Sequence, residues 1–128
     1  MEGKPFRLKA RGSRLEAKAR VLEPSVIFKE IEEQPPLMRP NAARAYRGME
    51  ADWVLKFANA KPERSDKVSV YFNVEPHDIR MVTGSVSLRK YPELEKLPVG
   101  APVRVCGRIQ KADTLFIELE IRDMKFNT

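Results

Sequence analysis

The fold of this chain is decided by residues 100–127, which read GAPVRVCGRIQKADTLFIELEIRDMKFN. Apolar side chains alternate with charged or polar ones over residues 103–109, and a second alternation runs over 115–122. Residues 111–114 between them are mostly polar and typical of a turn. Since period-two alternation indicates strands with one buried face, the stretch is predicted to be a β-hairpin. Gly107 falls at an inward position, where a glycine indicates a bulge or a sharp bend.

The same alternation predicts three upstream strands. The predicted inward residues of the hairpin are Val103, Val105, Ile109, Leu115, Ile117, Leu119 and Ile121. Those of the first two strands are Trp53, Leu55, Phe57, Val68, Val70, Phe72 and Val74. Residues 58–66 are predicted to be a loop, residues 79–86 a third strand, and residues 91–97 a short helix. Three strands, a short helix and two strands predict a mainly β protein with the five-stranded Greek-key barrel of an OB fold.

The chain is predicted to divide into a basic, partly helical arm over residues 1–47 and the barrel over 48–128. Ser13 and Glu16 match a capping box, which predicts a helix over 14–22. Ser25 is predicted to cap a second helix that ends at residue 33. The apolar face of this second helix, with Ile27, Phe28 and Ile31, is expected to pack on the barrel. A mobile tail is expected at residues 1–12.

Prolines at positions 35, 36 and 40 predict an extended connection after these helices, because proline disfavours helix in the residue before it. Asn41 is then predicted to cap one helical turn over residues 42–46, which ends at Gly48. The arm therefore leads into the first strand of the barrel.

Composition and charge indicate which partners the protein favours and which classes of protein are excluded. The 128 residues carry a formal charge of +6, which favours anionic partners. Much of that charge lies in residues 1–23, where a role in solubility is the alternative to a role in binding. The single cysteine, Cys106, excludes an intramolecular disulfide. Without a long apolar run or a signal sequence, the chain is expected to be cytoplasmic and to bind no membrane.

Four short segments carry a resemblance to a known group of proteins. They are Ala43-Arg44-Ala45-Tyr46-Arg47-Gly48, the predicted strand that follows it, the pair Leu94 and Leu97-Pro98-Val99-Gly100, and Val103-Arg104-Val105-Cys106-Gly107-Arg108-Ile109. These segments resemble the single-domain OB proteins grouped with the tRNA-anticodon-binding type. The resemblance covers roughly residues 42–126. It implies the OB fold and leaves the ligand open, since a fold does not determine a function.

Candidates for catalysis and metal binding are weak in this sequence. His77 and Cys106 are too few for a zinc site, and a Cys–His nucleophilic pair would need both to meet in space. Glu118 and Glu120 could form a carboxylate pair, but Arg104 and Arg108 of the preceding strand can neutralise them. The chain is therefore predicted to be no enzyme, with no catalytic residues, no metal site and no cofactor.

The sequence favours a binding module. OB folds bind oligonucleotides on the face of strands two and three, between the loop that joins strands one and two and the loop that joins strands four and five. The candidate nucleic-acid-binding residues are Lys56, Lys61, Arg64, Lys67, Tyr71, Asn73, Arg80 and Lys111. Cations would bind phosphates of single-stranded DNA or RNA, and Tyr71 would stack on a base.

Two alternatives remain open at this level. The loop before strand two could be a plain solvated loop, because Glu63 and Asp66 dilute its positive charge and few aromatic residues are predicted to face outward. Alternatively, the chain could be a protein-interaction module. It would then pair a strand edge with a partner, or form a homodimer through the apolar faces of the arm.

Overall fold

A computed structural model gives the structure of the protein and describes residues 22–74 and 79–126. The predicted helix over 14–22, apart from its last residue, and the predicted turn with His77 lie outside the described residues. The helices are α1 (Pro24–Glu32), α2 (Arg39–Arg44) and two 3₁₀ helices (Pro36–Met38 and Pro92–Lys96). The strands are β1 (Glu50–Pro62), β2 (Lys67–Asn73), β3 (Met81–Ser87), β4 (Pro102–Ala112) and β5 (Phe116–Phe126). No helix in the described part of the chain is long and apolar enough to cross a membrane.

The five strands form a closed barrel in the order β1-β2-β3-β5-β4. Four of the pairings are antiparallel, and β4 returns to β1 to close the barrel. The β3–β5 pairing is parallel and short, joining residues 81–84 to residues 116–119. This order of strands is that of an OB fold, and the predicted fold class is confirmed.

The barrel interior is filled by the residues that the alternation placed inward, with three exceptions. The strand residues that are at most 1% exposed are Val70, Phe72, Val82, Val103, Val105, Ile109 and Ile117. Leu115 was predicted to point inward but lies in the β4–β5 turn with its side chain 43% exposed. Ile121 and Val74 are only partly buried against the core.

Strand β5 contains an extra residue directly after Ile121. Cys106 pairs with Asp123 and Gly107 pairs with Ile121, so that Arg122 has no partner in the ladder. This bulge moves the inward position from residue 123 to Met124, which is buried. The predicted bend at Gly107 is therefore confirmed.

Two glycines leave space for the middle of β5. A Cβ atom on Gly107 of β4 would lie 2.2 Å from the carbonyl oxygen of Glu120. A Cβ atom on Gly84 of β3 would lie 2.6 Å from Cδ1 of Ile121. Both distances are below van der Waals contact, so β5 can occupy this position only because both neighbours lack a side chain.

Strand β1 is longer than the sequence predicted. The predicted loop over residues 58–66 was wrong for residues 58–62, which continue the strand to Pro62. A register shift between Phe57 and Asn59 bends the strand, and residues 59–62 then pair with residues 68–71 of β2. These residues look like a loop in the sequence because most of them are exposed, which removes the alternation between apolar and polar residues.

Helix α1 covers the end of the barrel beside the β4–β5 turn. Ile27, Phe28 and Ile31 are at most 1% exposed and belong to the same core cluster as the strands, which confirms the predicted packing of this face. Trp53 of β1 donates a hydrogen bond of 2.7 Å from Nε1 to the carbonyl of Leu22. The segment that precedes the barrel is thereby attached to it.

The starts of the helices differ from the prediction. Ser25 does not cap α1, because Glu23 holds the N-cap position without a side-chain hydrogen bond and Pro24 occupies the first turn. Pro36 and Pro40 likewise lie in the first turns of short helices and do not enforce an extended chain. Asn41 lies inside α2 and is not its cap. Proline suits a first turn because its missing N–H has no partner there anyway.

The predicted helix over residues 91–97 is present as the 3₁₀ helix of residues 92–96. It lies at the opposite end of the barrel from α1, beside the last residues of β5. Tyr91 and Leu94 are buried, and the ring of Tyr91 packs edge-on against Phe126 at 6.1 Å between centroids. The Tyr91 hydroxyl lies 3.3 Å from a carboxylate oxygen of Asp123. These contacts cover the part of β5 that β3 does not reach.

The close approach at Gly107 gives a direct test of this packing. We expect Gly107→Ala to lower the free energy of unfolding by about 1–3 kcal/mol or more, because the added methyl group would overlap the Glu120 carbonyl. Urea denaturation followed by circular dichroism measures the change. Gln110→Ala, at an exposed position of the same strand, is the control and should leave stability nearly unchanged. Equal stability of the two variants would contradict the packing of β5 described here.

Candidate functional site

One row of outward residues crosses four strands on the face of β2 and β3. Tyr71 of β2 pairs with Thr83 of β3, which pairs with Glu118 of β5, which pairs with Lys111 of β4. With Asp113 and Phe116 from the β4–β5 turn and the start of β5, these side chains line an open groove of about 330 Å³. We call these six residues the outer groove. It lies on the face that the sequence predicted for ligand binding.

The outer groove brings two aromatic side chains together. Tyr71 is partly buried, and Phe116 is 41% exposed. Phe116 was not among the predicted binding residues, although its outward position in the alternation of β5 was the signal for it. The turn geometry places it here: an Asp113 carboxylate oxygen accepts hydrogen bonds from the backbone N–H groups of Leu115 and Phe116, at 2.8 and 2.7 Å.

Two lysines supply the positive charge at the outer groove. Nζ of Lys61 lies 5.5 Å from the centre of the Tyr71 ring, in the range of a cation–π contact. Lys111 lines the groove on the opposite side, next to Glu118 in the ladder. Tyr71, Lys61 and Lys111, three of the eight predicted residues, therefore meet in one place.

The other predicted residues lie farther along the same side of the barrel or turn away from it. Arg64 and Lys67 are exposed at the β1–β2 loop. Lys56 and Asn73 pair with each other in the ladder between β1 and β2, at the other end of β2. Arg80 faces α1, where its guanidinium lies 5.7 Å from the centre of the Phe28 ring and 3.6 Å from a carboxylate oxygen of Glu32.

Carboxylates occupy the part of this face near the β1–β2 loop. Glu63 accepts a hydrogen bond from Ser69 of β2 and a second one, of 2.8 Å, from Ser85 of β3. The hydrogen bond from Ser69 makes the larger contribution and that from Ser85 the smaller, and together they hold the pKa of Glu63 below its usual range. The pKa of Asp66 is lowered in the same way by its bond from Ser87. Since both groups stay charged, they offset the positive charge of Arg64 and Lys67 at the loop end of the face.

The opposite face of the barrel contains an ion pair and the only cysteine. Arg104 binds both carboxylate oxygens of Asp52, at 2.8 and 2.7 Å, and this contact lowers the pKa of Asp52 to about 2. Cys106 donates a hydrogen bond of 3.4 Å from Sγ to the same carboxylate. Burial, and then this bond, raise the pKa of the Cys106 thiol. A thiol with a raised pKa is a poor nucleophile.

The predicted pairing of Glu118 and Glu120 with arginines of the preceding strand is confirmed only in part. Arg108 lies opposite Glu120 in the ladder, and it also forms an ion pair with Glu50 of β1 at 3.8 Å. Lys111 lies opposite Glu118, whereas Arg104 binds Asp52 of β1. Within residues 22–74 and 79–126, no group of three His, Cys, Asp or Glu side chains is placed to hold a metal ion. His77 lies outside those residues.

Comparison with known proteins supports the fold. No family model matches the sequence, and no curated protein matches it closely enough to count as a relative. A candidate nucleic-acid-binding lipoprotein from Klebsiella pneumoniae subsp. pneumoniae MGH 78578 has a similar structure, with a TM-score of 0.53 and 13% identity over 80% of this chain and 86% of that chain. Asparaginyl-tRNA synthetase from Pyrococcus horikoshii gives a TM-score of 0.48 and 11% identity over 64% of this chain and 20% of that chain.

The chain therefore spans about a fifth of the synthetase and most of the lipoprotein. At 13% identity the likeness to the lipoprotein shows a shared fold and nothing about the ligand. The protein is an OB-fold domain. Its place in the tRNA-anticodon-binding group stays a prediction.

The environment of Cys106 predicts that its thiol reacts slowly with thiol-specific reagents. We expect the thiol to react with Ellman's reagent more slowly than glutathione does at about pH 8, because its raised pKa leaves less thiolate. Asp52→Asn should speed the reaction, since it removes a negative charge that raises this pKa. Glu95→Gln, a charge change in the 3₁₀ helix, is the control. A wild-type rate equal to that of glutathione would contradict the described environment.

Proposed function

We propose that this protein is a non-catalytic domain that binds single-stranded nucleic acid in its outer groove. The observation that carries the proposal is the meeting of Tyr71, Phe116, Lys61 and Lys111 at one groove. Aromatic rings with cations beside them are the combination that single-stranded nucleic acids require, because bases stack and phosphates need positive charge. The groove also lies on the face that OB folds use for oligonucleotides.

Each side chain of the groove has a role in this proposal. Phe116, the more exposed ring, stacks on one base. Tyr71 stacks on a second base with Lys61 beside it, and Lys111 binds a phosphate between the two bases. Glu118, in the centre of the row, repels the backbone and favours an orientation in which a base edge lies over it. We expect moderate affinity with a strong dependence on salt.

The similarity to a candidate nucleic-acid-binding lipoprotein is consistent with this proposal at the level of the fold. The alternative of a protein-interaction module has less support. The described strands form a closed barrel, because β4 pairs with β1 and β3 with β5, and only residues 85–87 of β3 and 120–126 of β5 extend beyond the short ladder between these two strands. Of the two apolar faces of the arm that a homodimer could use, that of α1 is buried in the chain's own core, while the predicted helix over 14–22 lies outside the described residues apart from Leu22.

Replacement of the aromatic residues tests the proposal. We expect Tyr71→Ala and Phe116→Ala each to weaken binding of a labelled oligonucleotide of about 12 nucleotides by about 1–3 kcal/mol, the usual contribution of one stacked base. Fluorescence anisotropy with single-stranded DNA and RNA at two salt concentrations measures the affinity. Neither change removes a fully buried residue, so the fold should persist.

Val54→Ala is the matched control, because Val54 is 69% exposed and lines a different surface with Arg104 and Lys125. It should bind as the wild type does. Unchanged affinity in both aromatic variants would contradict the proposal, as would loss of binding only when residues 1–21 are removed.

A further inference from the structure

A second groove lies between the arm and the β4–β5 turn, with a volume of about 410 Å³. We call it the arm groove. Its apolar lining comes from Ile31, Pro36, Pro40, Ala43 and Ala112. Its charged residues are Arg39, Arg44, Arg47, Lys111 and Asp113. The volume is within the range of sites for small organic ligands and is large enough for a nucleobase.

The charge of the arm groove is strongly positive, with four cations against one carboxylate. Arg39 donates to the carbonyls of Gln34 and Glu32, at 3.0 Å each, and Arg44 donates to the side-chain oxygen of Asn41. These acceptors are neutral and leave the positive charges uncompensated. Asp113, the one carboxylate, is held by backbone N–H groups of its own turn. An anionic ligand is therefore the complementary one.

The arm groove and the outer groove meet at the β4–β5 turn. Lys111 and Asp113 line both of them. A strand that crosses the outer groove and passes Lys111 therefore reaches the arm groove next. The burial of Ile27, Phe28 and Ile31 attaches α1 to the barrel and gives the arm groove a defined wall.

We propose that the arm groove binds the continuation of the same single strand, one nucleotide beyond the outer groove. Its base lies against the apolar surface of Pro36, Pro40 and Ala43. The flanking phosphates bind Arg44 and Arg47, whose planar guanidinium groups suit phosphate oxygens. The arm thus lengthens the binding site of the barrel. This inference rests on the proposed function of the outer groove.

The length of the oligonucleotide separates the two grooves experimentally. An oligonucleotide of about 2 nucleotides, one for each aromatic ring, would fill the outer groove alone, while one of about 12 would reach both grooves. We expect the double variant Arg44→Ala/Arg47→Ala of the full chain to bind the longer oligonucleotide on the order of tenfold more weakly. It should bind the shorter one as the wild type does.

The salt dependence gives a second readout. Each phosphate contact of a single strand contributes about 0.7 to the slope of log K against log salt. The double variant loses two phosphate contacts, so for the longer oligonucleotide the magnitude of this slope should decrease by about 1.4. For the shorter oligonucleotide the slope should stay the same. Lys96→Ala/Lys125→Ala removes the same amount of charge outside both grooves and is the matched control. It should change neither affinity beyond the small effect of net charge.

Three results would overturn the inference while the proposed function stands. They are unchanged binding of the longer oligonucleotide, an equal loss for both lengths, and an equal loss in the control double variant. If neither oligonucleotide, shorter or longer, binds the wild-type protein, the proposed function itself is contradicted. The thermal midpoint of each variant, measured by circular dichroism, shows that a loss of affinity is not a loss of fold.

Discussion

The passage of β5 between two glycines is the constraint on which the rest of the structure depends. Neither Gly84 nor Gly107 leaves room for a methyl group, so the middle of β5 is held against both neighbours at once. This contact closes the barrel and sets the register of β5. The register in turn places Phe116 and Glu118 outward, next to Thr83 and Tyr71. A slip by one residue would turn these side chains toward the core, and the outer groove would be lost.

Much of the fold could be predicted because it depends on local patterns. The alternation of apolar and polar residues predicts the strands, and a glycine at an inward position predicts the bend at residue 107. The errors occurred where another contact outweighs the pattern. Leu115 continues the alternation, but the hydrogen bonds of Asp113 hold it in an exposed turn. Residues 58–62 lack alternation because most are exposed, yet most of them pair with β2.

The candidate site was predictable only in part, for a related reason. Tyr71 and Lys111 could be assigned to the correct face from the register, because the OB fold determines which strands are adjacent. The contact of Lys61 with Tyr71 depends on the extension of β1, which the sequence did not predict. Arg80 looked available for a phosphate, but α1 places Phe28 and Glu32 beside it. The arm groove depends on the packing of α1 and α2, and no local pattern in the sequence predicts that packing.

In the proposed function, nucleic acid contacts the outer face of β2, β3 and β5. This contact can be mapped by titration of the ¹⁵N-labelled protein with a single-stranded oligonucleotide, followed through the amide chemical shifts. We expect the largest shifts to cluster at residues 71, 83, 111 and 113–118 and to extend into α2. Small shifts are expected for Asp52, Arg104 and Cys106 on the opposite face. Shifts that cluster on that opposite face, or that are confined to residues 1–21, would show that nucleic acid does not bind in the outer groove.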